Sequence, residues 1–180
     1  MKKAIYALLA LLTTLPVLAE VTDVATNGFT TVNEAIVEAT PEAAWVGAIE
    51  VGRWWSSDHT ISGDAARMSI DPVAQGCFCE SLGDAAGVVH LVVTSVMPAT
   101  SLRLTGGLGP LGLMGVNGNM TWDFEAVEEG TRIRFTYAVG GYMTGGLEQM
   151  AQPVDFVLGE ALTRLKTYIE TGSPESASVE

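Results

Sequence analysis

The chain has 180 residues, 21 acidic against nine basic, for a net charge of −12. A surface that acidic repels nucleic acid and anionic membranes, which sets both aside as partners and keeps the protein soluble. With 48% hydrophobic residues and two cysteines there is material for one ordinary core and none for a disulfide scaffold.

Residues 1–19 read as a leader. Lys2 and Lys3 precede the apolar run Ala4 to Leu12, and Val17-Leu18-Ala19 puts small residues at −3 and −1 of a signal-peptidase cut after Ala19. The run is too short for a good anchor, so no stable membrane insertion is expected after cleavage. The cut is not followed by a cysteine, which excludes a lipoprotein. A mature chain starting at Glu20, periplasmic or secreted, is expected. It keeps seven basic and all 21 acidic residues, a net charge of about −14.

Residues 28–38 alternate as a strand. Thr40-Pro41-Glu42 then starts a helix, with Thr40 as N-cap and Pro41 at the first helical position. Trp45, Ala48 and Ile49 form its buried stripe. Gly52 breaks it, a second short helix carries Trp54 and Trp55, and Ser56 to Ala65 form a polar loop holding His59. Four strands are expected at 67–71, 76–81, 88–97 and 101–105, the last two joined by a turn at Pro98-Ala99-Thr100.

Cys77 and Cys79 fall on one of these strands, side by side on one face. An ideal strand holds their Cα atoms near the upper limit for a disulfide and leaves a tiny, strained loop. Two buried free thiols are favoured over a redox-labile bond or a soft-metal pair, since two ligands do not make a metal site. No metal and no cofactor is expected.

Gly106 to Gly118 is a loop rich in glycine and apolar residues, among them Leu108, Leu111, Leu113 and Met114. Such a composition suits a pliable apolar lid over a concave apolar space. A clear hairpin follows. Met120, Trp122, Phe124 and Ala126 face one side, Glu129-Gly130 turns it, and Ile133, Phe135, Tyr137 and Val139 continue that face. A second glycine cluster, 140–146, surrounds Tyr142. The last helix carries its apolar stripe through Val154, Val157, Leu158, Ala161, Leu162, Leu165, Tyr168 and Ile169. Pro153 fits its first turn, leaving Leu147–Gln152 as an irregular lead-in. Residues 171–180 are expected to form a disordered tail after a single domain at 28–170.

Strand, two short helices, six strands, long helix: with Trp54-Trp55 and His59, Gly-Cys-Phe-Cys-Glu at 76–80, His90, Leu102-Arg103-Leu104, Gly107-Leu-Gly-Pro-Leu and Gly140-Gly141-Tyr142, this order resembles the SRPBCC or START-like superfamily. The similar members lie among its proteobacterial polyketide-cyclase-like proteins and the branch related to activators of the Hsp-type chaperone ATPase. The chain has no Gly-Lys-Ser/Thr phosphate loop, so an ATPase label has no physical support here. The resemblance implies an α+β helix-grip fold. In it, a curved seven-stranded antiparallel sheet wraps round the long C-terminal helix, and a cavity lies between them.

Candidate chemistry is sparse. His59 and His90 are the only histidines, so any histidine base is one of them. Glu80 is a candidate carboxylate partner and Arg103 an anchor for an anionic ligand group, although a structural Glu80–Arg103 salt bridge is the favoured reading of that pair. Alternation with Val88, Val92 and Thr94 leaves His90 pointing to solvent or pairing locally. Candidate ligand residues are Trp54, Trp55, Phe78, Leu108, Leu111, Met114, Trp122, Phe124, Tyr137 and Tyr142. Three functions follow, in order of preference. The first is an exported carrier for a small apolar or amphipathic, lipid-like or polyketide-like molecule. The second is a cyclase-, dehydratase- or hydrolase-like enzyme with a cavity histidine, and the third a periplasmic protein-interaction module.

Overall fold

The expected strand at 28–38 is β2, Gly28–Val37, whose residues alternate strictly between the covered and the outer face. Phe29, Thr31, Asn33, Ala35 and Val37 point inward, as period-two alternation requires. These coordinates are a computed structural model and describe residues 18–175. The signal-peptide assignment therefore falls mostly outside the described residues, as do residues 176–180 of the expected tail.

Helix α1, Pro41–Ile49, begins as expected. Thr40 accepts a hydrogen bond from the Ala43 N–H at 3.4 Å, and Pro41 occupies the first turn, where its missing N–H costs nothing. A single 3₁₀ turn, Val51–Arg53, replaces the second short helix, and Trp54 and Trp55 follow it rather than riding on it. Both indoles are anchored by their own N–H groups, Trp54 to the Gly47 and Ala48 carbonyls and Trp55 to the His59 carbonyl. That anchoring fixes the side chains without a helix beneath them.

The remaining strands are β3 (Met68–Ile70), β4 (Cys77–Gly83), β5 (Ala86–Met97), β6 (Ser101–Gly106), β7 (Gly115–Val127) and β8 (Gly130–Tyr142). Together with β1, Leu18–Ala25, they form one eight-stranded sheet with order β1-β2-β8-β7-β6-β5-β4-β3, every neighbouring pair antiparallel. The expected count was seven. The eighth strand is β1, whose first two residues belong to the leader reading and whose pairing with β2 extends the sheet by one edge.

Helix α2, Glu148–Thr171, lies across β1 and β2 and against α1. Its stripe matches the expected one, with Leu158, Ala161, Leu162, Leu165 and Tyr168 buried and Val154, Val157 and Ile169 partly so. The helix starts earlier than its proline suggests. Pro153 is the sixth helical residue, so the Gln149 carbonyl lacks its usual N–H partner. The lead-in is nonetheless helical because Leu147 is fully buried and its N–H is bound to the Thr26 carbonyl at 2.9 Å. Tertiary docking overrides the local breaker. The helix closes on Gly172, left-handed at φ 80°, whose N–H returns to the Tyr168 carbonyl.

The hairpin β7–β8 pairs Trp122 with Phe135 and Met120 with Tyr137, as its alternation foretells, except that Ala126 at the hairpin end is exposed. An aromatic cluster fills the grip. Trp122 stacks on Phe135 at 4.5 Å and meets Trp54 and Phe78 at centroid distances of 6.0 and 6.4 Å, and Trp55 bridges those two at 5.7 and 5.4 Å. The space where a cavity was expected is thus occupied by side chains among the described residues.

Candidate functional site

At the β3–β6 end of the sheet, away from β1 and β2 on which α2 mainly packs, a buried carboxylate and a buried imidazole meet under the glycine-rich loop. Both are placed by β4 and β5. Phe78 and Glu80 face inward from β4, Glu80 with 1% of its surface exposed. On β5, Phe78 pairs with Leu91 and Cys79 with Val89, so the ladder passes over His90. This is a β-bulge, and it turns two successive residues, His90 and Leu91, to the same inner face. Alternation left His90 between solvent and a local pair, and the bulge decides for the inner face: the imidazole is 4% exposed.

His90 Nε2 lies 3.0 Å from Glu80 Oε2. Its other ring nitrogen, Nδ1, accepts the Gly109 N–H at 3.4 Å. With Nδ1 accepting, the ring proton sits on Nε2 and is donated to the carboxylate. Glu80 accepts further bonds from the backbone N–H groups of Ile61, at 3.1 Å, and Ser62. Burial alone would push its carboxyl up; the hydrogen bonds from Ser62, Ile61 and His90 outweigh it and bring the group from 4.5 down to about 2. The polar loop of residues 56–65 thus delivers two amides to the carboxylate, the carboxylate orients the ring, and the ring presents an unprotonated nitrogen to the glycine-rich loop.

That loop is a plug. After β6 the chain makes a 3₁₀ turn, Gly109–Leu113, and drives Leu108 and Leu111 into the core, 9% and 0% exposed. Of the apolar residues in the two glycine clusters, Leu113 and Tyr142 are exposed, at 93% and 73%, Met114 is half-buried, and only Leu108 and Leu111 enter the core. Its base is tied by one phenol. Tyr137 donates to the Gly106 carbonyl at 2.8 Å and accepts from the Leu108 N–H at 3.0 Å. Burial, only partly offset by the Leu108 bond, pushes this hydroxyl up to about 12. Opposite the ring stands Gly118, where a Cβ would come within 2.4 Å of the Tyr137 ring. Only glycine leaves the phenol that space.

The fold brings Trp54, Trp55, Phe78, Glu80, His90, Leu108, Leu111, Trp122, Phe124 and Tyr137 into one interior. Met114 packs at its margin, and Tyr142 stands outside it. Arg103 is exposed on the outer face of β6, so the expected Glu80–Arg103 salt bridge is not formed; the two point to opposite sides of the sheet. His59 belongs to a separate, surface arrangement. Its Nε2 is 3.0 Å from Glu160 Oε2 on α2, and its ring meets Phe156 edge-on. There α2 borders β1 in an open groove of about 540 Å³ lined by Ala19, Asp155, Phe156, Glu160 and Thr163 among others. None of the ten candidate ligand residues lines it. Sequence reasoning missed the Ile61 and Ser62 amides and the Gly109 contact, because backbone donors leave no residue signature.

Cys77 and Cys79 are joined in a disulfide. The expectation of free thiols assumed an ideal strand, whereas the Cα atoms are 5.4 Å apart, well inside the disulfide range. The contraction occurs where β5 carries its bulge.

No family model matches the chain, and no curated protein matches it. Solved structures do. The conserved protein of unknown function EF2215 from Enterococcus faecalis is 14% identical, with a TM-score of 0.58 over 87% of this chain and 80% of its own. CalU16 from Micromonospora echinospora is 14% identical, with a TM-score of 0.54 over 88% and 85%. The Aha1 dimer from Colwellia psychrerythraea is 19% identical, with a TM-score of 0.54 over 79% and 97%. At such identities the likeness is one of architecture. The chain shares with them one architecture, a helix-grip fold of an antiparallel sheet and a long C-terminal helix.

Proposed function

We propose that the protein is an exported binder or carrier of a small apolar molecule that ends in one hydroxyl or carboxyl group. The observation that carries this is the plug. Leu108 and Leu111 enter the core from a loop containing Gly106, Gly107, Gly109 and Gly112, and the loop's polar ties to the interior are a phenol and an imidazole. Withdrawing that loop frees the volume of two leucine side chains bordered by aromatic rings. It also leaves Tyr137 Oη and His90 Nδ1 in need of partners. A ligand hydroxyl or protonated carboxyl satisfies both, donating to Nδ1 and accepting from the phenol. An apolar site with a few convergent polar groups is the ordinary build of a small-molecule pocket. Export rests on the leader-like residues 1–19, and the disulfide suits an oxidising compartment.

The pair Glu80–His90 favours a second reading, an enzyme in which Nδ1 takes a proton from the ligand while Glu80 steadies the imidazolium. Polyketide-cyclase-like chemistry is the class this suits. The two readings share a site and differ in turnover.

Thermal shift of the wild-type protein and of His90→Gln with medium-chain fatty acids, fatty alcohols and the matching alkanes tests the proposal. A carrier's midpoint rises with acid or alcohol chain length and responds far less to the alkanes, and His90→Gln narrows that difference. A ligand at a hundredfold excess over Kd stabilises the fold by about 2.7 kcal/mol. No shift with any compound, or equal shifts for alkane and alcohol, contradicts it; conversion of the compound seen by mass spectrometry moves the assignment to the enzyme.

A further inference from the structure

The disulfide lies outside the ligand path. Phe78 and Glu80 point inward, while Cys77 and Cys79 alternate with them on the outer face and are only partly buried. Across the ladder, Cys77 is opposite Val92 and Cys79 opposite Val89, which is 60% exposed, so the bond is approached over an open apolar surface. A link across three residues removes little freedom from the unfolded chain, and β4 is already paired on both sides, so the bond adds little as a staple. Its local effect is larger. Two residues of an ordinary strand span roughly 6.6 Å; here they span 5.4 Å. Over those same two steps β5 runs three, from Val92 to Val89, and the surplus residue is His90. A shortened β4 and a bulged β5 match each other.

We propose that Cys77–Cys79 is a thiol–disulfide exchange site for a dithiol, and that its oxidised form holds the bulge that turns His90 toward Glu80. A thiolate of the dithiol attacks one protein sulfur, forming a mixed disulfide and releasing the other as a thiolate that takes up a proton. The second thiol of the reductant, giving up its proton, then attacks the reductant's first sulfur in that mixed disulfide; the bond to the protein sulfur breaks, that sulfur leaves as a thiolate and takes up a proton, and the reductant departs as a disulfide. Two electrons and two protons pass to Cys77 and Cys79. Reduced β4 relaxes toward its ordinary length, the register over residues 77–79 and 89–92 loosens, and the imidazole loses its fixed place against the carboxylate.

Titration of the native protein with dithiothreitol tests this, with free thiols counted by alkylation and mass and the His90 ring followed by NMR. A His59→Gln background leaves a single histidine signal. The expected result is two thiols per chain without denaturant, an unchanged far-UV spectrum, and a His90 shift that tracks thiol content. Cys77→Ser/Cys79→Ser then shows the reduced-state His90 signal and ignores dithiothreitol. Thiols that appear only in denaturant, or a His90 signal identical in both states, overturn the proposal; the wild-type titration decides even where the double variant does not fold.

Discussion

Glu80 carries the clearest single-residue consequence. A carboxylate held at about 2 when its ordinary value is 4.5 favours the folded state wherever it is ionised. That stabilisation is complete above the unfolded value and is lost as the pH falls from about 4.5 toward 2, on the order of 3 kcal/mol for a shift of this size. Denaturant unfolding between pH 2 and 7 should therefore show a steeper acid loss in the wild-type protein than in Glu80→Gln. Parallel curves would mean that the Ile61 and Ser62 amides do not bind the carboxylate in solution. At this scale the sequence was half legible. Glu80 sharing a face with Phe78 follows from strand alternation, and a histidine partner was among the candidates, but the Ile61 and Ser62 amides were not. A bulge defeats period-two reading by one residue, and that residue is His90. Arg103 fails for the complementary reason: its strand is regular, and regularity puts it outside.

At the scale of elements, the glycine-rich loop was recognisable and its direction was not. Composition marks a segment that folds back closely, yet a loop with leucines at 108, 111 and 113 does not say which of them turns inward. The 3₁₀ turn Gly109–Leu113 decides it, burying Leu111 and exposing Leu113 two residues later. Leu111→Ala should cost about 2–5 kcal/mol, as for a fully buried leucine, whereas Leu113→Ala should stay within about 0.5 kcal/mol of wild type. Equal costs, measured by urea unfolding, would show that the loop does not hold this conformation. Other elements were plain from the sequence because a local signal and the tertiary fold agree: the Thr40 cap of α1, the β7–β8 hairpin, the stripe of α2. Where they disagree, the fold prevails. Pro153 sits inside α2 because Leu147 docks ahead of it, and β1 joins the sheet by pairing with β2 although only its first two residues fell in the leader reading and Glu20–Ala25 were assigned no element.

For the whole molecule, the order of elements together with the motifs that carry the family resemblance was enough to expect the helix-grip architecture, and the state of its interior was not legible. A half-covered sheet with inward Trp122, Phe135 and Tyr137 is equally compatible with a hollow and a filled grip, since large aromatics serve both as walls and as core. Volume decides between them, and it depends on the placement of Trp54, Trp55 and the Leu108–Leu111 plug rather than on their identity. In the proposed binder the site is kept closed by the protein's own side chains, and a ligand enters by release of a segment whose ties to the interior are few. The most direct measurement is native-state hydrogen exchange of the Leu108 and Gly109 amides across a series of low denaturant concentrations, compared with the β7–β8 amides. A removable plug predicts exchange of those two amides through a local opening, insensitive to denaturant and at a free energy well below that of global unfolding. Exchange of Leu108 and Gly109 only together with the hairpin, with the same denaturant dependence, would contradict it and make the loop a fixed part of the core.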